Sequence, residues 1–305
     1  MSRKRLVIAG GSGFIGRALT GEFSARGFEV VVLTRSPRQR ADGVVEAEWD
    51  GAQTGAWMAL LDGADAVINL VGKNINCPHT PENLRDITAS RVDSVKAIAV
   101  AIARAKSPPH VWGQASAVGF YGDTGDVARD ESSPAGNDAL AEVCRQWEAA
   151  FTLADVPQTR KVTLRIGFVL GRDGGALPLL SKMTRCFLGG AAGSGRQYIS
   201  WIHLTDLTAM FATAVTDEKM SGTFNAVAPN AVTNAEFMRE LRRALHRPWS
   251  PPAPEFAVKL GTRLMGSEAS LALVSQRCVP KRFLETGFKF RFADVAGALN
   301  NLCNS

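Results

Sequence analysis

Along the first 170 residues, short and largely apolar runs alternate with longer amphipathic stretches. The runs cover residues 6–9, 30–33, 44–49, 66–71, 111–116 and 162–169. Between the first two, Ile15, Leu19 and Phe23 recur every four residues, which puts them on one face of a helix. Further helical patterns cover residues 81–105 and 139–151. A strand that is apolar throughout has both faces covered, as in a parallel sheet. The alternation therefore predicts an α/β fold of the Rossmann type, a doubly wound parallel sheet.

The texture changes after Gly171. Gly174, Gly175, Gly189, Gly190, Gly193 and Gly195 break the chain into loops, and a Pro-rich stretch over 248–254 marks a stiff connection. A helix near 205–214 and a strand near 223–225 are expected to rejoin the sheet. The predicted layout is a nucleotide domain over 1–171, rejoined by 198–228, with a smaller C-terminal substrate lobe built from 172–197 and 229–305.

The junction of the first strand and first helix carries the clearest chemistry. Gly10, Gly13 and Gly16 stand at the spacing of a dinucleotide-binding turn. The first glycine permits the turn, the second lets the backbone approach a pyrophosphate, and the third lets helix and strand pack closely. Ser12, Phe14 and Ile15 share that turn, whose helix N-terminus offers N–H groups to phosphate. NAD-binding chains place Asp or Glu at the end of the second strand, on the ribose 2′-hydroxyl. Here Thr34, Arg35 and Ser36 follow instead. No carboxylate occurs between Val30 and Ala41, while Arg35, Arg38 and Arg40 do. The cofactor read from this is NADP(H). Asp50, beside Trp49, is placed to flank adenine, although a buried tryptophan is the plainer reading. Leu70, Val71 and Gly72 follow the fourth run, where the chain passes the ribose in similar folds.

Composition adds bounds. The net charge is +6, which a phosphorylated cofactor or substrate accounts for as well as any other anion, and nucleic acid is not expected as a partner. The five cysteines are scattered with no CxxC pair, so neither a disulfide framework nor a metal site is expected, and a reducing, cytoplasmic setting is. No apolar run reaches membrane-span length.

GGSGFIG, the stretch from Asp65 to Gly72, Ser116 ahead of FYGD, and GSGRQYISWIHLTDL together resemble the extended short-chain dehydrogenase/reductases. SAVGFYGD, CRQWE, RIGFVLGRDGGAL and the final GFKFRF resemble one atypical branch more narrowly, the epimerase-family proteins of the yfcH-like group. The resemblance runs nearly end to end and implies a Rossmann fold, NADP(H) and a small C-terminal lobe, without implying a substrate. It also implies that Arg91 stands where extended relatives carry an asparagine near the cofactor, placed to add charge to the cofactor phosphates, with a surface salt bridge as the equal alternative. Gly167, Phe168 and Val169 are expected to pass near the nicotinamide. A homodimer through two long helices is expected by analogy.

The superfamily's Tyr-x-x-x-Lys pair is missing. Only Tyr121 and Tyr198 occur, followed four residues later by Gly125 and Ile202, and alignment on Trp147-Glu148 places the pair at Leu140 and Cys144. In such a pair the lysine lowers the phenol pKa for proton transfer. The remaining catalytic candidates are Ser116, to orient substrate or simply satisfy local backbone, and Tyr121, to donate a proton or simply pack. Ser116 also borders the cofactor. His203 reads as a packed residue before a helix capped by Thr205, Lys73 as a solvated cation, and Cys144 as inert. Arg196 and Gln197 are candidates to line a pocket. Arg239, Arg242, Arg243, His246 and Arg247 read as a solvated helix face. Two functions stay open: an NADP(H)-dependent oxidoreductase or epimerase-like enzyme acting on a small polar substrate, and an NADP(H)-binding redox sensor or scaffold without turnover.

Overall fold

A computed structural model describes residues 3–264 and 266–304. Its strands are β1 (Arg5–Ala9), β2 (Glu29–Thr34), β3 (Val45–Glu48), β4 (Ala66–Asn69), β5 (Val111–Ala117), β6 (Arg160–Ile166), β7 (Phe168–Leu170), β8 (Tyr198–Ile199), β9 (Trp201–His203), β10 (Gly222–Ala226) and β11 (Val232–Thr233). The helices are α1 (Phe14–Ala25), α2 (Pro81–Arg104), α3 (Ala139–Thr152), α4 (Leu177–Arg185), α5 (Leu204–Thr216), α6 (Asn234–Ala244), α7 (Glu255–Leu264), α8 (Ser270–Leu273), α9 (Lys281–Glu285) and α10 (Val295–Asn304).

Seven strands form one sheet in the order β10-β6-β5-β4-β1-β2-β3, and every pairing in it is parallel. The chain leaves β1 toward β2 and β3, then returns to β4 and proceeds the other way. The order therefore reverses between β1 and β4, and the crevice above that point is where open α/β sheets bind ligands. The central strands are apolar because both faces are covered: Leu6, Val7, Ile8, Val67 and Ile68 have no exposed surface. The edge strand β3 reads VEAE and is only partly buried.

The helices begin where their caps dictate. Thr80 accepts a bond from Asn83 N at the start of α2, with Pro81 in the first turn. Asp138 does the same for α3 through Ala141 N. The cap of α5 is His203, whose Nδ1 accepts from Thr205 N at 3.1 Å, so Thr205 is not the cap. Asp206 in the first turn of α5 accepts from Arg291 N and Phe292 N at 2.8 and 2.9 Å, which fastens the C-terminal segment to the sheet domain.

Three features differ from the sequence reading. The sixth apolar run divides at Gly167, where an added Cβ would lie 2.4 Å from Ser200 O and 2.7 Å from Val227 Cγ1. There the chain leaves β6 and starts β7, which pairs with β9 outside the central sheet. The fourth run ends at Asn69, because its side-chain oxygen accepts from Val71 N at 3.0 Å and turns the chain. Tyr198 and Ile199 pair with β11, in the region assigned to the C-terminal lobe, whereas β10 joins the main sheet beside β6 as expected.

Candidate functional site

The glycine turn lies at the β1 end of the crevice. Gly10 adopts φ +76°, and a Cβ there would stand 3.2 Å from the carbonyl carbon of Leu70, so the turn rests on the chain leaving β4. A Cβ on Gly16 would stand 2.5 Å from Gly11 Cα, which accounts for close packing of α1. Gly13 is different. Its Cβ would meet only Gly10 O, at 3.4 Å, and its φ of −73° suits any residue. Nothing within the described chain requires glycine at position 13. Gly13 is also the N-cap of α1, makes no side-chain cap bond, and is followed by no acidic residue in the first turn. The first N–H groups of α1 and its positive dipole end thus face space that a side chain would fill. A phosphate group fits there. Phe14 turns away from this space, and added carbons on Gly171 and Gly174 would each meet its ring at 2.4 Å. Val169 belongs to β7 at the start of the same glycine-rich loop, its carbonyl 3.1 Å from a Cβ on Gly175. Ile15 is partly buried against the core.

At the β2 exit, Thr34 donates to Ser12 Oγ at 3.1 Å, tying the strand end to the glycine turn. Arg35, Ser36 and Arg38 are exposed. Arg40 is engaged by Asp42 and Glu46. Arg35 has no side-chain partner among the described residues. Asp42 and Glu46 are the acids that follow β2, and Arg40 already neutralises both; Glu48, opposite Thr34 on β3, is exposed. Asp50 accepts from Ala52 N and Gln53 N, both at 2.8 Å, which holds its carboxyl below the usual range. Trp49 is 4 % exposed, tilted against Trp57 with ring centres 4.5 Å apart. It is core.

At the β4 exit, Asn69 donates to Ser94 Oγ and Gln114 Oε1, both at 3.1 Å, and so fixes the strand end that Leu70, Val71 and Gly72 continue. Arg91 reaches this exit from α2. Its Nη1 donates to Lys73 O and Ile87 O, both at 3.0 Å. A Cβ on Gly72 would lie 2.9 Å from its Cζ, so glycine makes room for the guanidinium. The salt-bridge reading of Arg91 does not hold: no carboxylate lies within ion-pair distance among the described residues, and the guanidinium stands 5.0 Å over the Trp147 ring. Lys73 instead pairs with Asp86 at 2.7 Å.

At the β5 exit, the structure joins Ser116 and Tyr121 through two residues the sequence reading did not select. Ser116 Oγ donates to Glu148 Oε1 at 2.6 Å. Arg165 grips the same carboxylate from Nε at 2.9 Å and Nη2 at 2.7 Å. Its Nη1 donates to Tyr121 OH at 2.8 Å, and that hydroxyl donates to Asn225 Oδ1 at 2.8 Å. Ser116 is 3 % exposed and Tyr121 is 2 % exposed. Burial pushes the phenol up to about 12, against the pull of Arg165. The signal for these partners was present in the sequence: Arg165 interrupts an apolar strand, and an arginine in a buried strand requires an anion.

The helix face where Tyr-x-x-x-Lys would stand is neutral. Leu140 and Cys144 border Gly119, with Gln276 Nε2 also 3.9 Å from a Cβ there. Burial pushes the Cys144 thiol up to about 12. His203 stacks on Phe292 at 3.9 Å and is driven down to about 4 by burial. Gln197 donates to Ala192 O and Ala272 O and braces the lobe, while Arg196 is exposed. The basic cluster does not lie on one helix: α6 ends at Ala244 and His246 has φ +52°. Arg239 and Arg243 both pair with Glu240. Among the described residues there is no metal-binding group of His, Cys, Asp or Glu and no helix long and apolar enough to cross a membrane.

Comparison with known proteins agrees with this architecture. Residues 6–226 match the NAD dependent epimerase/dehydratase family, and residues 253–302 match a domain of unknown function, DUF1731. The chain is 37 % identical over 304 residues to an Arabidopsis thaliana epimerase family protein, the chloroplastic SDR39U1 homolog, covering 98 % of this chain and 86 % of that one. It is 35 % identical to the Homo sapiens epimerase family protein SDR39U1, covering 98 % and 99 %. A crystal structure of that human protein (isoform 2) with NADPH superposes with a TM-score of 0.88 at 34 % identity, covering 99 % of each chain. With a family model matched over residues 6–226 and relatives at 35–37 % identity over 98 % of its length, this chain belongs to the NAD dependent epimerase/dehydratase family.

Proposed function

We propose that this protein binds NADP(H) across the β1–β4 crevice and is an oxidoreductase or epimerase-like enzyme for a small polar substrate. The observation that carries the reading is the pairing of an unfilled space at Gly13 with a partnerless Arg35 at the β2 exit. The pyrophosphate would lie on the α1 N-terminus, and Arg35, with Thr34, Ser12 and Ser36 beside it, would hold the 2′-phosphate. The bound nicotinamide would supply hydride chemistry in the cleft toward the C-terminal lobe. The human relative whose structure contains NADPH supports the choice of cofactor. Ser116 and Tyr121 act in this reading as positioning residues. Both are buried and both are engaged by the Glu148–Arg165 pair, so they hold the β5 exit in place and a water or the substrate itself carries the proton.

The test is titration of the protein with NADPH and NADH by nicotinamide fluorescence, with Arg35→Ala alongside. A lost charged contact of about 1.5–3 kcal/mol corresponds to roughly tenfold or more in affinity. NADPH should bind more tightly than NADH, and Arg35→Ala should erase the difference. Equal binding of both dinucleotides by the native protein would remove Arg35 from the site.

A second reading, a cofactor-binding sensor or scaffold without turnover, is favoured by the neutral Leu140–Cys144 face. A carbonyl and alcohol panel with NADPH and NADP⁺ separates the two, since any turnover excludes it.

A further inference from the structure

Arg91 is, after Arg35, a second cation at the crevice that no structural role exhausts. One of its terminal nitrogens is fixed by Lys73 O and Ile87 O. The remaining N–H groups have no partner among the described residues, and no carboxylate neutralises the charge. A partly buried guanidinium without a counter-ion is unfavourable, and burial depresses its pKa. Gly72 is kept small where the guanidinium passes, and Trp147 supports its plane. The neighbouring group on α3 is Cys144, an uncharged thiol at the position where the resemblance would place a lysine.

Its place in the sheet identifies the ligand. Arg35 lies beyond β2, the glycine turn lies at β1, and Arg91 lies over the β4 exit on the opposite side of the turn. A dinucleotide that crosses the switch point with its adenosine half toward β2 extends its other half over β4 and β5. We propose that Arg91 binds the nicotinamide-side half of the cofactor, through acceptor oxygens of its ribose and adjoining phosphate, and that α2 thereby supplies the positive charge that α3 lacks. This rests on the cofactor reading above.

The two halves are separable by ligand choice. Calorimetric titrations of native protein, Arg91→Ala, Arg91→Lys and Gly72→Ala would use NADPH and adenosine 2′,5′-bisphosphate, a fragment that ends before the nicotinamide side. Arg91→Ala should weaken NADPH about tenfold or more and leave the fragment within twofold. Arg91→Lys should recover part of the loss, and Gly72→Ala, which displaces the guanidinium without removing it, should follow Arg91→Ala. Thermal melting of each variant confirms folding. Undiminished NADPH binding by Arg91→Ala overturns the assignment, and so does an equal loss for both ligands, since Arg91 would then act through the glycine turn. If native protein binds neither ligand, the cofactor reading itself fails; if it binds both and the Arg91 substitutions leave NADPH affinity unchanged, that reading survives and this one does not.

Discussion

Replacing Arg165 by methionine tests whether the network beneath the β5 exit is one unit. Its guanidinium makes three hydrogen bonds, two to Glu148 and one to Tyr121, and lies 3.4 Å over the Phe120 ring. The side chains of Arg165 and Glu148 are 6 % and 13 % exposed, so little water is available to replace either partner. Arg165→Met strands the Glu148 carboxylate with the Ser116 hydroxyl as its one remaining side-chain donor among the described residues. Removal of one member of a buried ion pair costs about 3–5 kcal/mol, whereas exchange of both for apolar residues is near neutral. The single variant should therefore be destabilised by about that amount and Glu148→Leu by a similar one, while Arg165→Met/Glu148→Leu should recover most of the loss. The assay is urea unfolding followed by tryptophan fluorescence, comparing midpoints at constant slope. A single-variant loss below about 1 kcal/mol, or additive losses in the double variant, would mean that the pair is not coupled and that Ser116 and Tyr121 are not held through it.

Two further predictions concern the glycine turn and pH. Gly13→Ala should leave the melting temperature nearly unchanged, because its Cβ meets only one atom, yet abolish NADPH binding; Gly16→Ala should lower stability by about 1–3 kcal/mol through overpacking against Gly11. Retained NADPH affinity in Gly13→Ala would show that no phosphate approaches the turn. His203 has a folded pKa of about 4 against an ordinary 6.5, so between these values the unfolded chain binds more protons. Stability should be full above about pH 6.5 and fall progressively to about pH 4, by at most about 3 kcal/mol. His203→Asn keeps a capping acceptor and removes the titration; an unaltered pH profile in that variant would exclude His203 as the cause.

The fold was legible because its signals are local. Apolar runs marked each central strand, and Ile15, Leu19 and Phe23 gave the buried face of α1. The failures were tertiary. Nothing local separates residues 162–166 from 168–170, since the break is imposed by Ser200 O and Val227 pressing on Gly167. Burial of Trp49 is the plainer of its two readings and holds, but its partner Trp57 follows only after a turn. The glycine turn was legible for the same reason as the strands: all of its chemistry lies within seven consecutive residues.

The polar side of the site was harder to read because its charge stands one turn beyond the positions where the usual pair is sought. Leu140, Cys144 and Glu148 succeed one another at four-residue spacing, one above the next on the face of α3 that meets the β5 exit. A search for a tyrosine and a lysine stops at the first two and finds no charge. The charged residue stands one turn further, and it is an acid rather than a base. Its counter-ion, Arg165, comes from β6, and the nearby guanidinium of Arg91 from α2, at separations of 17 and 57 residues respectively from Glu148. Once Glu148 occupies that turn, a lysine at position 144 would add a competitor for the same carboxylate. The neutral thiol avoids that competition, and Arg91, on the neighbouring α2, has no carboxylate within ion-pair distance among the described residues. The β5-facing side of α3 thus carries its charge on Glu148, paired with Arg165 of β6, and none at the two positions where the usual pair would stand. It follows that Cys144→Lys should draw Glu148 away from Ser116 and destabilise the protein, so a stable variant with the Arg165–Glu148 coupling intact would sink this account.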